Sequence, residues 1–499
     1  MAGSSRRSFI AQSAAAAALV AAGLAGGSRA RAQAGRRPNI LFIMSDDHAA
    51  QAIGAYGSQV NETPHIDRLA AEGVRADRIY ATNAICTPSR ATILTGQYSH
   101  MNGVPVFNAL EDDRPVVSTA LQQAGYWTSM TGKWHLGNAP RGFDHWEILP
   151  GQGAYLNPRL YNAQGTATYQ GHCTDVVTDI ALEALAGRPK DQPFFAMVHH
   201  KAPHRNWVPA ERHRAAWAER VVPEPETLFD SYATRSDALR ANKQTVARDL
   251  NANDTKGEPP AGLVGAERTR WMYQRYMQDY LACVQGVDES VGRLLDWLDA
   301  EGLANDTLVI YTSDQGFFLG DKGMYDKRFF YEESARMPFL ARWPGSLPAG
   351  GLCEALGINV DFAPTFLAAA GAPAPAWMQG RSLLEPLAGR RPADWRRSFY
   401  YRYYHDPGDH NTAAHYGLRT ESHKIIYYHT LDQWECFDLI RDPHEQRNLV
   451  GLPEHRALVA DLRAQLAAAK IAVGDTEDRY ARREDWPKTS SAGKAPPPR

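Results

Sequence analysis

Asn39-Ile40-Leu41-Phe42-Ile43-Met44, running into Ser45-Asp46-Asp47, is the stretch that decides the fold. Six residues with scarcely a polar side chain among them leave no face for water. Such a run reads as a strand covered on both sides, at the centre of a sheet. Phe194-Phe195-Ala196-Met197-Val198 and Thr307-Leu308-Val309-Ile310-Tyr311-Thr312 are of the same kind. After the first strand, Thr63-Pro64-His65-Ile66-Asp67-Arg68-Leu69-Ala70 predicts a helix that Thr63 caps, Pro64 opens and Gly73 ends. Further helical stretches, including Tyr280 to Leu298, precede the later strands. Strands alternating with helices predict an α/β fold built on a mainly parallel sheet flanked by helices. Ligands of such sheets sit just past the carboxyl ends of the strands.

Composition narrows the class. Acidic and basic residues nearly cancel, 56 against 54 in 499 residues, so nothing points to nucleic acid or a charged membrane surface. Ser5-Arg6-Arg7-Ser8-Phe9-Ile10, an Ala- and Gly-rich run from Ala14 to Gly26, and Ala32-Gln33-Ala34 together predict a twin-arginine signal peptide over 1–34. Export to the periplasm or the medium follows. The run is too short and too rich in Ala to span a membrane. Five cysteines (Cys86, Cys173, Cys283, Cys353, Cys436) form no CxxC pair, which argues against a zinc cluster or a disulfide framework. Their odd number leaves at least one thiol over, with Cys86 the candidate.

The body of the chain reads as a catalytic domain over 35–372. A Pro- and Ala-rich stretch from Gly371 to Trp377 opens a linker region, 373–397. Short strands at 398–404, 415–419 and 424–428 and a helix over 454–472 predict a smaller C-terminal α+β subdomain, 398–485. The Pro-, Ser- and Lys-rich end, 486–499, predicts a disordered tail. Residues 223–260, polar and without periodicity, read as a long surface insertion.

Chemistry concentrates at strand ends. Asp46 and Asp47 close one buried strand, and Asp314 and Gln315 close another. Either pair alone is commonly a turn or a helix cap. Both pairs at ends of buried strands predict a site of hard oxygen ligands, suited to Ca²⁺, with Mg²⁺ the alternative, and not to zinc.

Cys86-Thr87-Pro88-Ser89-Arg90-Ala91-Thr92-Ile93-Leu94-Thr95-Gly96 is more specific. A lone cysteine is usually a small buried hydrophobe. This segment, however, resembles the formylglycine-dependent type I sulfatases, which share Cys-x-Pro-x-Arg followed by a helix and Thr-Gly. Gly132-Lys133-Trp134-His135-Leu136-Gly137, Ala202-Pro203-His204 and Asp326-Lys327-Arg328 match further motifs of that family, and the resemblance covers most of 38–450. It implies an alkaline-phosphatase-like fold and hydrolysis of a sulfuric ester. It also implies oxidation of Cys86 to formylglycine by a formylglycine-generating enzyme, giving a hydrated aldehyde whose one hydroxyl attacks sulfur while the other later expels sulfate. Carried over, Asp46, Asp47, Asp314, Gln315 and the modified Cys86 would bind metal, with Gln315 departing from the commoner Asn or His. Arg90 and Lys133 would neutralise the nucleophile's surroundings. Lys133, His204 and Lys327 would hold sulfate oxygens, His135 would assist collapse, and His204 would protonate the leaving oxygen.

Phe317 to Ser334, with His415-Tyr416-Gly417-Leu418-Arg419-Thr420 and the segments Asp438-Leu439 and Asn448-Leu449, is similar to bacterial N-acetylglucosamine-6-sulfatases and mucin-desulfating enzymes. That similarity implies a sulfated glycan as substrate, with 6-O-sulfated N-acetylglucosamine the expected residue. In an extended chain Asp326 and Arg328 would point away from Lys327. A bent loop would bring them to the pocket rim, where His415 and Arg419 would join them, with Trp434 or Tyr416 stacking on a sugar ring. The readings left beside it are a phosphonate monoester or phosphodiester hydrolase of the same superfamily, and a non-catalytic glycan-binding homologue.

Overall fold

A computed structural model describes residues 37–476. The expected signal peptide over 1–34 and the tail over 486–499 lie outside the described residues.

Asn39–Ser45 forms the first strand, β1, and is buried from Ile40 to its end. Ile40, Phe42 and Met44 enter one apolar cluster, while Leu41 and Ile43 enter the other. Each such side chain contributes about 1.5–3 kcal/mol on burial, and here both faces of the strand collect it. The sheet has ten strands. In chain order they are β1, β2 (Val74–Ala76), β3 (Trp127–Lys133), β4 (His145–Leu149), β5 (Arg159–Asn162), β6 (Gly165–Thr168), β7 (Phe194–His199), β8 (Thr307–Ser313), β9 (Phe339–Arg342) and β10 (Gly351–Cys353). Across the sheet they run β10-β2-β9-β8-β1-β7-β3-β4-β5-β6. The central five, β8 to β4, are mutually parallel. Antiparallel pairs join the outer strands β9, β5 and β6 to this core, so the sheet is parallel where it is buried deepest and mixed at its edges.

Register fixes where the chemistry falls. Met44 lies opposite both His199 and Thr312, Ser45 lies opposite Ser313, and Gly132 lies opposite His199. Asp46-Asp47, Lys133 and Asp314-Gln315 therefore leave the sheet at one level. Two glycines make this possible. A Cβ on Gly132, at φ +99°, would stand 2.0 Å from the His199 carbonyl oxygen, and one on Gly316 would stand 2.1 Å from that of Glu333.

Helices α1 (Pro64–Ala71), α3 (Cys173–Gly187) and the long α4 (Gly265–Ala300) cover one face. Helices α2 (Cys86–Thr95) and α5 (Phe362–Ala369) cover the other, where the Phe42 ring meets Phe366 edge-on at 5.1 Å. Thr63 holds the cap position of α1 but caps no backbone group. Its hydroxyl donates to Asp67 and accepts from the Gly54 N–H, both at 2.9 Å. Gly73 lies beyond the helix and serves close packing on β9, since a Cβ there would strike the Ala341 carbonyl.

The C-terminal region is a four-stranded antiparallel sheet, β11 (Ser398–Tyr403), β12 (His415–Thr420), β13 (His423–Tyr428) and β14 (Gln433–Asp438), with α6 (Arg456–Ala472) against it. Its inward side chains Phe399, Ile425 and Phe437 belong to the same apolar cluster as Ile40 and Phe330. The segment 373–397 is packed: Trp395 is buried, and Arg396 pairs with Asp361. Residues 223–260 mix exposed and buried positions, and the fully buried Gln244 and Asp254 anchor them to the body of the protein. All five cysteines are buried and unpaired.

Candidate active site

Cys86 is the first residue of α2, whose ten residues are all buried, and Ile85 precedes it in extended conformation. The thiol thus sits at the positive end of the helix dipole. It lies within electrostatic reach of Lys133, Asp46, Lys327 and Asp314, but burial dominates and pushes its pKa up to about 11. An unmodified thiol here is a poor nucleophile.

Arg90, one turn on, binds the strand ends together. Its Nε and Nη2 donate to Asp314 Oδ2 at 3.0 and 2.8 Å, Nη2 also reaches Asp46 Oδ2 at 3.2 Å, and Nη1 donates to the Lys133 carbonyl at 2.5 Å. Lys133 pairs with Asp46 and donates to Gln152 Oε1 at 2.5 Å. Lys327 grips Asp47 through both carboxylate oxygens, and the Gln315 amide nitrogen donates to Asp47 Oδ1 at 2.6 Å. Sequence reading placed Asp46, Asp47, Asp314, Gln315, Cys86, Arg90, Lys133 and Lys327 together, and the structure brings them to one point.

Two buried oxygens in this cluster, Asp46 Oδ1 and Gln315 Oε1, have no hydrogen-bond partner. Burial raises the carboxyls of the cluster. For Asp46 that rise is outweighed by Lys133, with His204, Arg90 and Lys327 adding, and it is held well below the usual range. For Asp47 burial prevails over Lys327, helped by Asp46, Asp326 and Asp314, and the pKa reaches about 7. Asp314 is also raised, by burial and then Asp46. Carboxylates that favour a proton, beside orphaned oxygens, are what a hard divalent cation satisfies. Asp46, Asp47 and His204 also each offer a ligand atom within 4.8 Å of the others. The oxygen donors Asp46, Asp47, Asp314 and Gln315 fit a hard divalent cation.

His135 follows β3 at φ +58°, a left-handed backbone that stores strain in a non-glycine residue. The Thr87 hydroxyl donates to its carbonyl at 3.0 Å. Burial, then Lys133 and Arg90, hold its pKa well below the ordinary value, so the ring is neutral. His204 is neutral for the same leading reasons, burial and then Lys133. Its Nδ1 donates to the Arg205 carbonyl at 2.5 Å, and Nε2 stands 3.8 Å from Asp47 Oδ2.

The rim differs from expectation. Asp326 and Arg328 adopt φ +79° and +90°, so the chain is bent at both. Arg328 Nη1 meets Asp326 Oδ1 at 2.5 Å, while Lys327 Nζ lies 3.6 Å from the same oxygen and binds Asp47. The histidine that closes on this pair is His410, whose Nε2 lies 2.9 Å from Asp326 Oδ2, with Asp409 3.8 Å from Arg328. His415 is not at the rim. It is fully buried, stacks on Phe329 and Tyr401, and accepts the Phe330 N–H at 3.1 Å, so it supports the loop from beneath. Arg419 is likewise drawn inward, over the Tyr80 ring and towards Glu332 at 3.4 Å. Trp434 stacks on Tyr427 at 4.0 Å with Arg463 over its ring, and Tyr416 stacks on His429, so these rings already have protein partners. His410 and Gln152 were missed. Gln152 lies in a Gly-rich turn and His410 in a polar turn, and neither carries a periodic signal.

Comparison with known proteins fits this arrangement. A family model described as Sulfatase matches residues 38–372, and one described as N-sulphoglucosamine sulphohydrolase, C-terminal, matches 320–472. N-acetylglucosamine-6-O-sulfatase of Bacteroides thetaiotaomicron is 42% identical, over 88% of this chain and 87% of its own. Human N-acetylgalactosamine-6-sulfatase is 28% identical over 84% of this chain and 77% of its own. A solved structure in complex with its substrate D-glucosamine-2-N,6-O-disulfate superposes with a TM-score of 0.86 at 40% identity, covering 89% of this chain and 99% of the other. A phosphonate monoester hydrolase from Silicibacter pomeroyi superposes with a TM-score of 0.69 at 26% identity, covering 88% and 96%.

Proposed function

We propose, from the premise that this chain belongs to the sulfatase family and is a sulfuric-ester hydrolase, that it removes the 6-O-sulfate of an N-acetylglucosamine or glucosamine residue in a glycan. The observation that carries the reading is the Asp326–Arg328 ion pair with His410, set beside Lys327 where a sugar attached to the sulfate would lie. An acid-base pair of this kind suits sugar hydroxyls. The relative named N-acetylglucosamine-6-O-sulfatase and the neighbour bound to a glucosamine disulfate support the same substrate class.

Family members generally use formylglycine and a divalent metal. Asp46, Asp47, Asp314 and Gln315 would hold Ca²⁺, or Mg²⁺ in its place, together with the side chain made from Cys86. When bound, the metal supplies Lewis-acid polarisation of the sulfate, and the hydrated formylglycine supplies the attacking oxygen. The remaining work falls to the chain's own side chains. Arg90 and Lys133 offset negative charge around position 86. Lys133 and Lys327 hold sulfate oxygens as charge builds on them. Neutral His135 would accept a proton from the side chain made from Cys86. His204 presents Nε2 to the leaving oxygen, and the arriving sulfate's negative charge raises its proton affinity, so it is charged as an acid only with substrate in place.

Export through a twin-arginine signal over 1–34 and modification by a formylglycine-generating enzyme belong to the same proposal. So does the division into a catalytic domain (35–372), a linker (373–397) and a C-terminal subdomain (398–485). No helix among the described residues is long and apolar enough to cross a membrane. The decisive experiment is sulfate release from 6-O-sulfated N-acetylglucosamine, compared with other sulfated sugars and a matched phosphonate ester. An enzyme preferring another sulfated position refutes the substrate, and one preferring the phosphonate refutes the sulfatase activity itself.

A further inference from the structure

We infer that Asp254 is a positioning residue for His204, fixing the imidazole through Arg205 and Asn206 so that Nε2 meets the leaving oxygen. The inference rests on the reading of His204 as the leaving-group acid.

A carbonyl oxygen only accepts, so the contact from His204 Nδ1 to the Arg205 carbonyl, at 2.5 Å, places the ring proton on Nδ1. That contact leaves Nε2 as the nitrogen facing the pocket. The aim of the ring therefore follows the direction of one peptide carbonyl, the one between Arg205 and Asn206. Both residues flanking that peptide are tied to a single carboxylate. Arg205 Nε and Nη2 donate to Asp254 Oδ1 and Oδ2 at 2.7 and 2.5 Å, and Asn206 Nδ2 donates to Asp254 Oδ1 at 2.6 Å. Asp254 is itself fully buried, and its Oδ2 also accepts the Asn251 N–H at 2.9 Å, so the carboxylate is anchored in its own turn. The Arg205 guanidinium lies 4.9 Å over the Tyr325 ring, beside Asp326. On the other side, the Tyr155 hydroxyl donates to the His204 carbonyl at 2.7 Å. A bidentate fork, an amide and a phenol thus restrain the backbone that carries one imidazole. Asp254 touches none of the reacting groups described above.

Proton delivery matters most when the leaving group is a poor one, such as a sugar hydroxyl, and least for an activated aryl oxide. Asp254→Ala should lower kcat/KM on the sugar sulfate about 10- to 100-fold, with a clearly smaller loss on 4-nitrophenyl sulfate, since small misplacements of this kind cost that much. In a His204→Ala background the same substitution should add nothing on either ester. Arg205→Lys, which keeps the charge but loses the fork, should reproduce the selective loss and serves if Asp254→Ala fails to fold. Equal losses on both esters, or additive losses with His204→Ala, mean a general structural role and overturn the inference. If His204→Ala alone shows no dependence on the leaving group, the acid assignment fails first and the inference falls with it. If His204→Ala is selective but neither Asp254→Ala nor Arg205→Lys is, the inference alone fails.

Discussion

Lys327 Nζ holds both carboxylate oxygens of Asp47, at 2.6 and 2.7 Å, so a cation assigned to the ester sulfate is paired with a carboxylate assigned to the metal. Lysine and metal compete for Asp47. Lys327→Ala should therefore tighten binding of Ca²⁺ while lowering sulfatase activity about 100-fold or more. Calorimetric titration of the metal beside steady-state rates checks the opposite signs; weaker metal binding in Lys327→Ala would contradict them.

Asp314→Ala should move both quantities the same way. It removes a ligand and also releases Arg90, which donates to Asp314 through two nitrogens. A loss of several kcal/mol of charge stabilisation, at about 1.4 kcal/mol per tenfold, predicts a fall of about 100-fold or more. Chelation of the wild type should have the same effect, with Ca²⁺ restoring activity. Unchanged rate and unchanged bound metal in Asp314→Ala would remove the metal assignment.

Cys86→Ala should abolish turnover without unfolding the chain, because the side chain is small and its function chemical. Mass spectrometry of the active enzyme should find the peptide around Cys86 lighter by the exchange of one sulfur and two hydrogens for one oxygen. A fully active enzyme whose Cys86 is an intact thiol would end the formylglycine reading.

Asp326→Ala and Arg328→Ala should each shift the ratio of kcat/KM for the sugar sulfate over an aryl sulfate by about tenfold or more, because the aryl ester offers no hydroxyls to the pair. His410→Ala should shift it in the same direction, and His415→Ala should cost stability instead. A ratio untouched by all three rim substitutions would move the sugar site elsewhere.

Asp361 tests the packed segment that follows α5. Its carboxylate accepts the Ile358 and Arg381 N–H groups, both at 2.9 Å, and binds Arg396 Nη2 at 2.7 Å. Asp361→Ala strands these donors, and a loss of about 3–5 kcal/mol is expected by chemical denaturation. A variant as stable as the wild type would show that the segment is a loose connection.

The sheet centre and the carboxylates at its edge were readable because Asn39 to Ser45 is apolar on both faces, and such a strand has one place to be. Asp46 and Asp47 then had to lie at its end. Cys86, Arg90, Lys133 and Lys327 were readable through motifs. The rim was not. An alternating strand such as His415 to Thr420 does not say which face is buried, and here His415 and Arg419 went inward. The left-handed backbone at Asp326, Arg328 and His410 leaves no trace in residues that are not glycine. Asp254 lay in a polar stretch whose burial depends on partners far away in sequence, and Gln433–Asp438 mixes polar and aromatic residues too evenly to stand out as a strand.

The burial of α2 has a consequence for timing. Cys86 is 1% exposed, Thr87 and Ser89 are 0% and Arg90 is 2%, so in the finished protein the motif is closed to the active site of another protein. An enzyme that oxidises Cys86 must meet it while the polypeptide is still open, within the interval between synthesis and closure of the sheet. Folding speed then becomes a determinant of yield: a chain that closes early is sealed with its thiol intact, correctly shaped and permanently inert. Slower folding or more of the modifying enzyme would raise the active fraction, and no later treatment of the native protein would recover the rest.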